Sequence, residues 1–226
     1  MLYPVSEIFE SIQGEGSHQG IPMSFIRLAG CSVGKRIPEG ERQIKSAVLP
    51  EYYERCHIWN GTSFICDTDY RVKERLSVDQ ILERIPNNRI WISLTGGEPL
   101  IHDLLPLINA LEKRKHPISL ETSGTIEFPS YLFNHRVYIR ISPKWNLIKG
   151  NLILADELKF LVDDSFSEQV IEYLLKDLPS TIKVWLQPVN GVLTVSERNI
   201  SRCIEILKRH PQWGLSCQLH KFLNVR

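Results

Sequence analysis

The stretch IWISLTGGEPL, residues 90–100, indicates the fold of this chain. Its first half is an apolar run typical of a buried strand, and its second half is a glycine-rich turn. Similar runs recur along the chain, with helical patterns between them. The candidate strands cover residues 22–28, 90–95, 118–122, 137–141, 157–162, 182–187 and 215–219. This alternation predicts an α/β fold whose parallel sheet is covered on both faces.

Four helices are predicted between these strands from capping residues and from apolar residues at helical spacing. They are a helix that Ser77 caps with Gln80, a helix over residues 103–115, a helix from Ser165 with Glu168 towards Lys176, and a helix from Ser196 to near Arg209.

The composition is ordinary for a globular protein, with 42% hydrophobic and 23% charged residues among 226. This length predicts one domain over residues 1–226. A formal net charge of +1 disfavours a nucleic-acid-binding surface and favours a small-molecule substrate. No apolar run is long enough to cross a membrane, and Glu7 and Glu10 lie where a signal peptide is basic or apolar. We therefore expect a cytoplasmic protein that binds neither membranes nor nucleic acid.

Residues 32–64 interrupt the pattern with a long, charged and turn-rich connection, which usually carries function or is mobile. This connection separates Cys31, just after strand candidate 22–28, from Cys66 in ICDTDY. An odd count of five cysteines does not indicate a disulfide scaffold. Because ligands bind at the carboxyl ends of parallel strands, Cys31 is well placed for a cofactor. Three thiolates can hold three irons of a [4Fe–4S] cluster and leave the fourth iron open.

Short motifs are spread over nearly the whole chain. They are SIQGEG at 11–16, FIRLAGC ending at Cys31, CDT at 66–68, LTGGEPLIHDL at 94–104, ETSGT at 121–125, SPK at 142–144, QPV at 187–189 and LHKFLN at 219–224. Together they resemble the radical S-adenosylmethionine superfamily and, within it, the 7-carboxy-7-deazaguanine synthase family. TGGEP alone indicates only the superfamily, whereas SIQGEG, CDT and HKFLN are more specific. The resemblance implies a partial (β/α) TIM-like barrel, with residues 32–64 as an insertion in the cluster-binding loop.

The cysteine spacing departs from the compact Cys-x3-Cys-x2-Cys motif that is common in this family. Here 24 residues separate Cys31 from Cys56, and nine separate Cys56 from Cys66. We expect the insertion to deliver Cys56 as the second cluster ligand, with Cys203 and Cys217 as the other candidates. A structural zinc site is the competing interpretation, although such sites usually show four ligands and closely spaced cysteine pairs.

The resemblance also implies residues that contact S-adenosylmethionine: Ile65, Asp67, Gly97, Ser142, Pro143, Lys144 and Gln187. It further implies a Mg²⁺ site beside the substrate to which Thr68 contributes, and magnesium prefers oxygen ligands. Without the resemblance, TGGEP would be interpreted as a tight turn, Lys144 as a solvated surface charge and Thr68 as a turn cap.

The implied substrate is 6-carboxy-5,6,7,8-tetrahydropterin, and the implied product is 7-carboxy-7-deazaguanine, formed with loss of ammonia in the queuosine and 7-deazapurine pathway. Such an enzyme is a carbon–nitrogen lyase. The substrate-binding residues that the resemblance implies are Ile12, Gln13, Gly14, Arg27, Thr95 and His220, with Glu15 as a weaker candidate. The planar guanidinium of Arg27 suits the substrate carboxylate, and His220 alone would equally be a strand-end histidine. No residue is assigned as a general base.

The implied partners are a reductant such as flavodoxin or ferredoxin and a second copy of the chain in a homodimer. Two other functions stay open at this point. A glycyl-radical activating enzyme would share the cluster and TGGEP but should lack SIQGEG and HKFLN, and a metal-stabilised binding protein without activity would explain the stretched cysteine spacing.

Overall fold

The computed structural model describes residues 1–44, 47–58, 62–66, 68–191 and 195–223 of the chain. Its strands are β1 (Tyr3–Ile12), β2 (Pro22–Leu28), β3 (Lys35–Arg36), β4 (Gln43–Ile44), β5 (Ala47–Val48), β6 (Glu54–His57), β7 (Ser63–Cys66), β8 (Glu74–Leu76), β9 (Trp91–Gly96), β10 (Ile118–Thr122), β11 (Val137–Ile141), β12 (Glu157–Val162), β13 (Lys183–Pro188) and β14 (Gly214–Leu215). Its α-helices are α1 (Val78–Glu83), α2 (Leu105–Lys113), α3 (Gln169–Leu175), α4 (Glu197–Arg209) and α5 (Leu219–Leu223). Short 3₁₀ segments cover Gly16–His18, Glu39–Glu41, Pro99–Ile101, Ser130–Phe133 and Lys149–Leu154.

The main sheet has the strand order β14-β13-β12-β11-β10-β9-β2-β1-β8. Every pairing from β14 to β2 is parallel, and β1 pairs antiparallel with both β2 and β8. The α/β class and the partial barrel of parallel strands that the sequence predicts are confirmed. Because the parallel strands run in one direction, their carboxyl ends meet along one edge of the sheet, where such folds place their ligands.

The two faces of the parallel strands differ in chemistry. One face is apolar: Leu94 of β9 and Leu120 of β10 are fully buried in a core that also contains Leu107 of α2. Successive side chains of a strand point to opposite faces, so Thr95 and Glu121 lie on the other side and line a cavity. The second face therefore carries the polar lining of this cavity.

Several predicted elements keep their places. The Ser77 capping box is present, and the Ser196 hydroxyl caps α4 by accepting a hydrogen bond from the Asn199 N–H. The helix predicted over 103–115 is α2, and the predicted strands 90–95 and 182–187 each begin and end one residue later, as β9 and β13. Within the described ranges, no helix is both long and apolar enough to span a bilayer.

Two predicted elements are wrong in extent. Of the strand predicted over 215–219, only Leu215 belongs to β14, and Leu219 already begins α5. Helix α3 begins at Gln169 and not at Ser165, because the Ser165 hydroxyl donates a hydrogen bond to the Asp163 carboxylate in a local turn. Such side-chain turns compete with helix formation.

Strand β1 was not among the candidates because its sequence, YPVSEIFESI, mixes charged and apolar residues. Its pairing with β2 runs from Val5 opposite Leu28 to Ile12 opposite Pro22. β1 therefore extends the sheet on its antiparallel side and brings the SIQGEG loop to the polar face.

The insertion folds into a second, three-stranded sheet of order β3-β6-β7, beside a small β4–β5 hairpin. In the antiparallel β6–β7 pair, Cys56 lies opposite Phe64 and Glu54 lies opposite Cys66. A β-bridge joins Ile58 to Lys144, so the β6–β7 hairpin is fixed to the turn after β11.

Candidate active site

A cavity of about 300 Å³ opens at the polar face, where the parallel strands end. Most of the site residues that the sequence predicts line this one cavity: Ile12, Gln13, Gly14, Arg27, Cys31, Cys56, Cys66, Thr68, Thr95, Gly97, Ser142, Lys144 and Gln187. They come from β1, β2, β9, β11, β13 and the inserted hairpin, so residues far apart in sequence converge at one place.

Four predicted residues are placed differently. Ile65 lines a smaller neighbouring cavity together with Gln187, and Pro143 is buried in the turn between Ser142 and Lys144 without lining the main cavity. Asp67 lies outside the described residues. His220 belongs to α5, and the position of its side chain also lies outside what the structure describes.

The TGGEP turn packs directly against the loop that carries Cys31. The Glu98 N–H donates a hydrogen bond to the Gly30 carbonyl, 3.1 Å away. A Cβ atom at Gly97 would lie 2.2 Å from the Gly30 carbonyl oxygen and 2.6 Å from Cys31 Cβ. Only glycine permits this approach, because at those distances any other side chain would force the two loops apart.

The Glu98 side chain is buried and accepts hydrogen bonds from two loops. Its Oε1 accepts from the Leu100 N–H at 3.2 Å and from the Thr122 hydroxyl at 2.8 Å. Its Oε2 accepts from the Ser123 N–H at 2.8 Å and also from the Ser123 hydroxyl. Glu98 therefore joins the turn after β9 to the end of β10, beside the cavity.

The three predicted cluster cysteines carry hydrogen bonds directed at sulfur. Cys31 Sγ accepts from the N–H groups of Val33 and Gly34, at 3.4 and 3.3 Å. Burial raises the pKa of the Cys31 thiol, and these two N–H groups oppose that shift. A hydrogen bond between the Cys56 and Cys66 side chains lowers the pKa of the Cys66 thiol and, together with burial, raises that of Cys56.

Cys66 has two further partners at the cavity wall. Its Sγ is hydrogen-bonded to the Tyr70 hydroxyl, and Thr68 contributes hydrogen bonds from both its backbone and its side chain. In contrast, Cys203 lies on α4 and is fully buried in the apolar core, and Cys217 is half-buried after β14. Neither lines the cavity.

Lys144 is almost fully buried, which is a departure from the solvated charge that its position alone would suggest. Its Nζ donates to the Ser142 hydroxyl at 2.7 Å and to the Ser142 carbonyl at 3.0 Å, and it lies 5.8 Å from the Phe64 ring centre. Burial lowers the pKa of Lys144 to about 8. The Lys144 ammonium is therefore held inside the cavity wall.

Glu121 is a cavity residue that the sequence analysis missed, although it begins the ETSGT motif. Its Oε1 accepts from Gln13 Nε2 at 2.8 Å, and its Oε2 accepts from the Thr95 hydroxyl at 3.1 Å. Arg140 Nη1 donates to the same Oε1 at 2.7 Å. Two of the predicted substrate-binding residues are thus attached to one carboxylate.

Three further buried charges at this face, Arg140, Glu157 and Lys159, were also missed. Arg140 forms an ion pair with Glu157, and Lys159 forms one with Glu15 of the SIQGEG loop. The available signal was a set of charged residues inside otherwise apolar strands, VYIRI and ELKFLV. A charge is rarely buried without a partner, so such a pattern indicates a polar site.

Arg27 of β2 also lines the cavity. Its Nε is 3.4 Å from a Glu7 carboxylate oxygen, and its guanidinium lies 5.7 Å from the centre of the Phe9 ring. Phe9 stacks on Phe25 with ring centres 5.0 Å apart. Because this aromatic pair supports one side of the guanidinium, Arg27 is oriented at the rim of the cavity.

Comparison with known proteins decides the family. The 7-carboxy-7-deazaguanine synthase of Escherichia coli strain K12 is 32% identical over 243 residues, which cover 100% of both chains. That of Bradyrhizobium diazoefficiens is 34% identical over 241 residues, again over 100% of both. The chain belongs to the 7-carboxy-7-deazaguanine synthase family. The crystal structure of QueE from Escherichia coli matches with a TM-score of 0.70 and 28% identity, over 97% of this chain and 95% of that one.

No model of a known protein family matches the chain. The full-length synthase relatives nevertheless confirm the family and the class of enzyme that the motifs predicted, and the QueE match confirms the fold. Within the described ranges, no three His, Cys, Asp or Glu side chains are gathered closely enough to hold a single metal ion. The three thiols line one cavity without converging on one point.

Replacing Glu98 by Gln should destabilise this synthase-family chain. The amide nitrogen of Gln cannot accept hydrogen bonds, so at least one of the buried donors now paired with Glu98 loses its acceptor. We expect the free energy of unfolding to fall by about 3 kcal/mol, measured by urea denaturation. The matched control is Glu112→Gln, which alters a partly exposed carboxylate paired with His135 and should cost less than about 1 kcal/mol. Equal losses in both variants would contradict the role assigned to Glu98.

Replacing Gly97 by Ala should displace the Cys31 loop, because the added methyl overlaps the Gly30 carbonyl. A displacement of about 1 Å at a reacting site can lower turnover about 100-fold, and we expect a loss of this size in the variant. Turnover is measured with saturating substrate and cofactor. Gly150→Ala serves as the control, since a Cβ there meets no atom within 4 Å. Full activity in the Gly97 variant would show that the close approach is not required.

Proposed function

We propose that this protein converts 6-carboxy-5,6,7,8-tetrahydropterin to 7-carboxy-7-deazaguanine, with ring contraction and loss of ammonia. The observation that carries the proposal is that the thiols of Cys31, Cys56 and Cys66 and the substrate residues Gln13 and Arg27 line the same cavity. Family membership favours this activity over a glycyl-radical activating enzyme and over a binding protein without activity.

The residues fit a [4Fe–4S] cluster held by Cys31, Cys56 and Cys66. Soft thiolates are the ligands that iron–sulfur clusters take, and hydrogen bonds to sulfur tune such sites. Cys31 already receives two N–H donors, and Cys66 has the Tyr70 and Thr68 hydroxyls beside it. Three cysteines leave one iron open for a chelating cofactor.

The S-adenosylmethionine contacts proposed for this chain are Ile65, Asp67, Gly97, Ser142, Pro143, Lys144 and Gln187. When bound, the cluster and S-adenosylmethionine supply the one-electron chemistry that removes a hydrogen atom from the substrate. The contribution of the protein is positional. Gly97 brings the backbone of its turn close to Cys31, and the buried Lys144 ammonium is suited to a carboxylate.

The substrate contacts proposed are Ile12, Gln13, Gly14, Arg27, Thr95 and His220. Arg27 is suited to the substrate carboxylate, since a guanidinium can donate two parallel hydrogen bonds. Mg²⁺ would lie beside Thr68. A hydroxyl that donates to the Cys66 sulfur keeps its oxygen lone pairs for a cation.

The proposal extends to the partners and setting of the enzyme. The one-electron donor would be a protein such as flavodoxin or ferredoxin, and the active form would be a homodimer. We place the reaction in the cytoplasm, where thiols stay reduced. We also propose that residues 1–226 form one domain, in which the 32–64 insertion serves to carry Cys56.

The cluster assignment is tested by replacing Cys31, Cys56 and Cys66 individually by Ala. After anaerobic reconstitution, each variant should lose most of its iron and sulfide content, its visible iron–sulfur absorbance and its turnover. Cys203→Ala and Cys217→Ala are the matched controls and should keep all three. A Cys56 variant that retains a full cluster, together with a Cys217 variant that loses it, would reassign the second ligand.

The substrate assignment is tested by replacing Arg27 by Ala. Loss of a charged hydrogen-bonding partner should raise the KM for the carboxytetrahydropterin about 10- to 100-fold, while substrate-independent cleavage of S-adenosylmethionine to 5′-deoxyadenosine continues. Arg27→Lys keeps the charge without the planar fork and should give an intermediate KM. Loss of S-adenosylmethionine binding in the Ala variant would contradict this role.

A further inference from the structure

A network of three charged side chains, Glu121, Arg140 and Glu157, lies at the polar face of the sheet, and Glu121 and Arg140 line the cavity. Arg140 Nε donates to Glu157 Oε1, and Arg140 Nη1 donates to Glu121 Oε1 at 2.7 Å. The side chains of Arg140 and Glu157 are 1% and 0% exposed. One guanidinium thus joins a carboxylate deep in the sheet to a carboxylate at the cavity wall.

At the cavity end of this network, Glu121 holds two side chains that are proposed to contact the substrate. Glu121 accepts hydrogen bonds from Gln13 Nε2 at 2.8 Å and from the Thr95 hydroxyl at 3.1 Å. Gln13 Oε1 in turn accepts from the Glu15 N–H at 3.1 Å. The orientation of the Gln13 amide therefore depends on the position of Glu121.

The buried end of the network, Glu157, is held by hydrogen bonds from the SIQGEG loop region and from β11. Glu157 Oε2 accepts from the Ser17 N–H at 3.0 Å and from the Tyr138 hydroxyl at 2.9 Å. Gly16 has a φ of +64°, and a Cβ there would lie 2.2 Å from Glu157 Oε1. The loop that carries Gln13 is thus tied to Glu157 as well as to Glu121.

We propose that Arg140 is a positioning residue for the pterin substrate. It holds Glu121, and Glu121 in turn holds Gln13 and Thr95 in the geometry that binds the pterin. This assignment rests on the proposed function. Arg140 itself acts through Glu121 and is given no contact with the reacting atoms.

The energetics favour a role in the site over a role in stability alone. Burying an ion pair usually gains little over an apolar replacement, because both charges must leave water. A network that only supports the fold is also expected to satisfy every buried donor. Arg140 Nη2 is buried and has no hydrogen-bond partner among the residues that the structure describes.

Electrostatics link Arg140 to the charge on its neighbours. Although burial opposes it, the carboxylates of Glu121 and Glu157 hold the pKa of Arg140 above its ordinary value. Despite burial, Arg140 keeps the pKa of Glu157 below its ordinary value. Removing the guanidinium would raise the pKa of the Glu157 carboxyl, since this buried carboxylate would lose its cationic partner. The other titratable groups nearby are Glu15, His18, Tyr138 and Lys159.

The test compares Arg140→Met with the unmodified enzyme, both reconstituted and assayed for turnover of the carboxytetrahydropterin. The KM for this substrate should rise about tenfold or more, with a smaller change in kcat and an unchanged KM for S-adenosylmethionine. The KM ratio of variant to parent should grow as the pH falls, because without Arg140 the Glu157 carboxyl is protonated at a higher pH and then holds the Ser17 N–H beside the SIQGEG loop less well. A purely structural role would lower stability without this pH dependence.

Matched variants keep the test decisive if Arg140→Met folds poorly. Arg140→Lys restores the charge and should recover part of the KM loss. In the double variant Arg140→Met/Glu157→Gln, one unpaired carboxylate is removed, so the fold should recover while the KM stays high. Ile139 lies on the same strand but in the apolar core. As a control, Ile139→Ala should lower thermal stability without changing the pH profile of KM.

The outcomes separate this inference from the proposed function. If the unmodified enzyme does not turn the pterin over, the proposed function fails first. If it does, and Arg140→Met and the double variant keep the parental KM across the pH range, the positioning role is overturned. A raised KM that Lys partly rescues supports it.

Discussion

The candidate active site depends on the buried carboxylate of Glu98. This side chain follows the two glycines of the TGGEP turn and accepts hydrogen bonds from Leu100, Thr122 and Ser123, while its own N–H donates to the Gly30 carbonyl. The loops after β2, β9 and β10 are therefore joined at one residue. Parallel pairing brings the strand ends to the same edge, but it does not fix the loops that follow them. Glu98 does, and it thereby holds Gly97 against Cys31.

The polar face of the sheet shows a second constraint. Parallel strands covered on both faces are usually apolar, yet here β10, β11 and β12 carry Glu121, Arg140, Glu157 and Lys159 towards one side. Burying these groups costs free energy that ion pairs recover only in part. The apolar face, with residues such as Leu94, Leu120 and Leu158 fully buried, supplies the stabilisation that offsets this cost. Because successive side chains of a strand point to opposite faces, one face of the sheet packs the apolar core and the other carries the polar groups of the cavity.

Much of the site follows from the sequence because its motifs stand directly at strand ends. Cys31, Gly97 and Ser142 follow β2, β9 and β11, so their convergence needs only the parallel order of the strands. The charges within the strands were harder to predict. Glu121 and Arg140 are in contact because the register of the parallel β10–β11 pair places them side by side. The sequence of either strand alone does not predict that register. β1 was missed since its charged residues match no apolar run.

The insertion shows how a widely spaced set of cysteines can still face one cavity. In the antiparallel β6–β7 pair, Cys56 lies opposite Phe64, and Cys66 comes two residues after Phe64. Residues at such diagonal positions share one face of the pair and lie within reach of each other. Ile65 lies between Phe64 and Cys66 and points to the other face of the pair, which explains why it lines the neighbouring cavity. Cys56 and Cys66 thus lie on paired antiparallel strands, and the Ile58–Lys144 bridge fixes this pair of strands at the cavity. Sequence distance between the cysteines is therefore compatible with a shared site, because strand register and not loop length sets where the sulfurs lie.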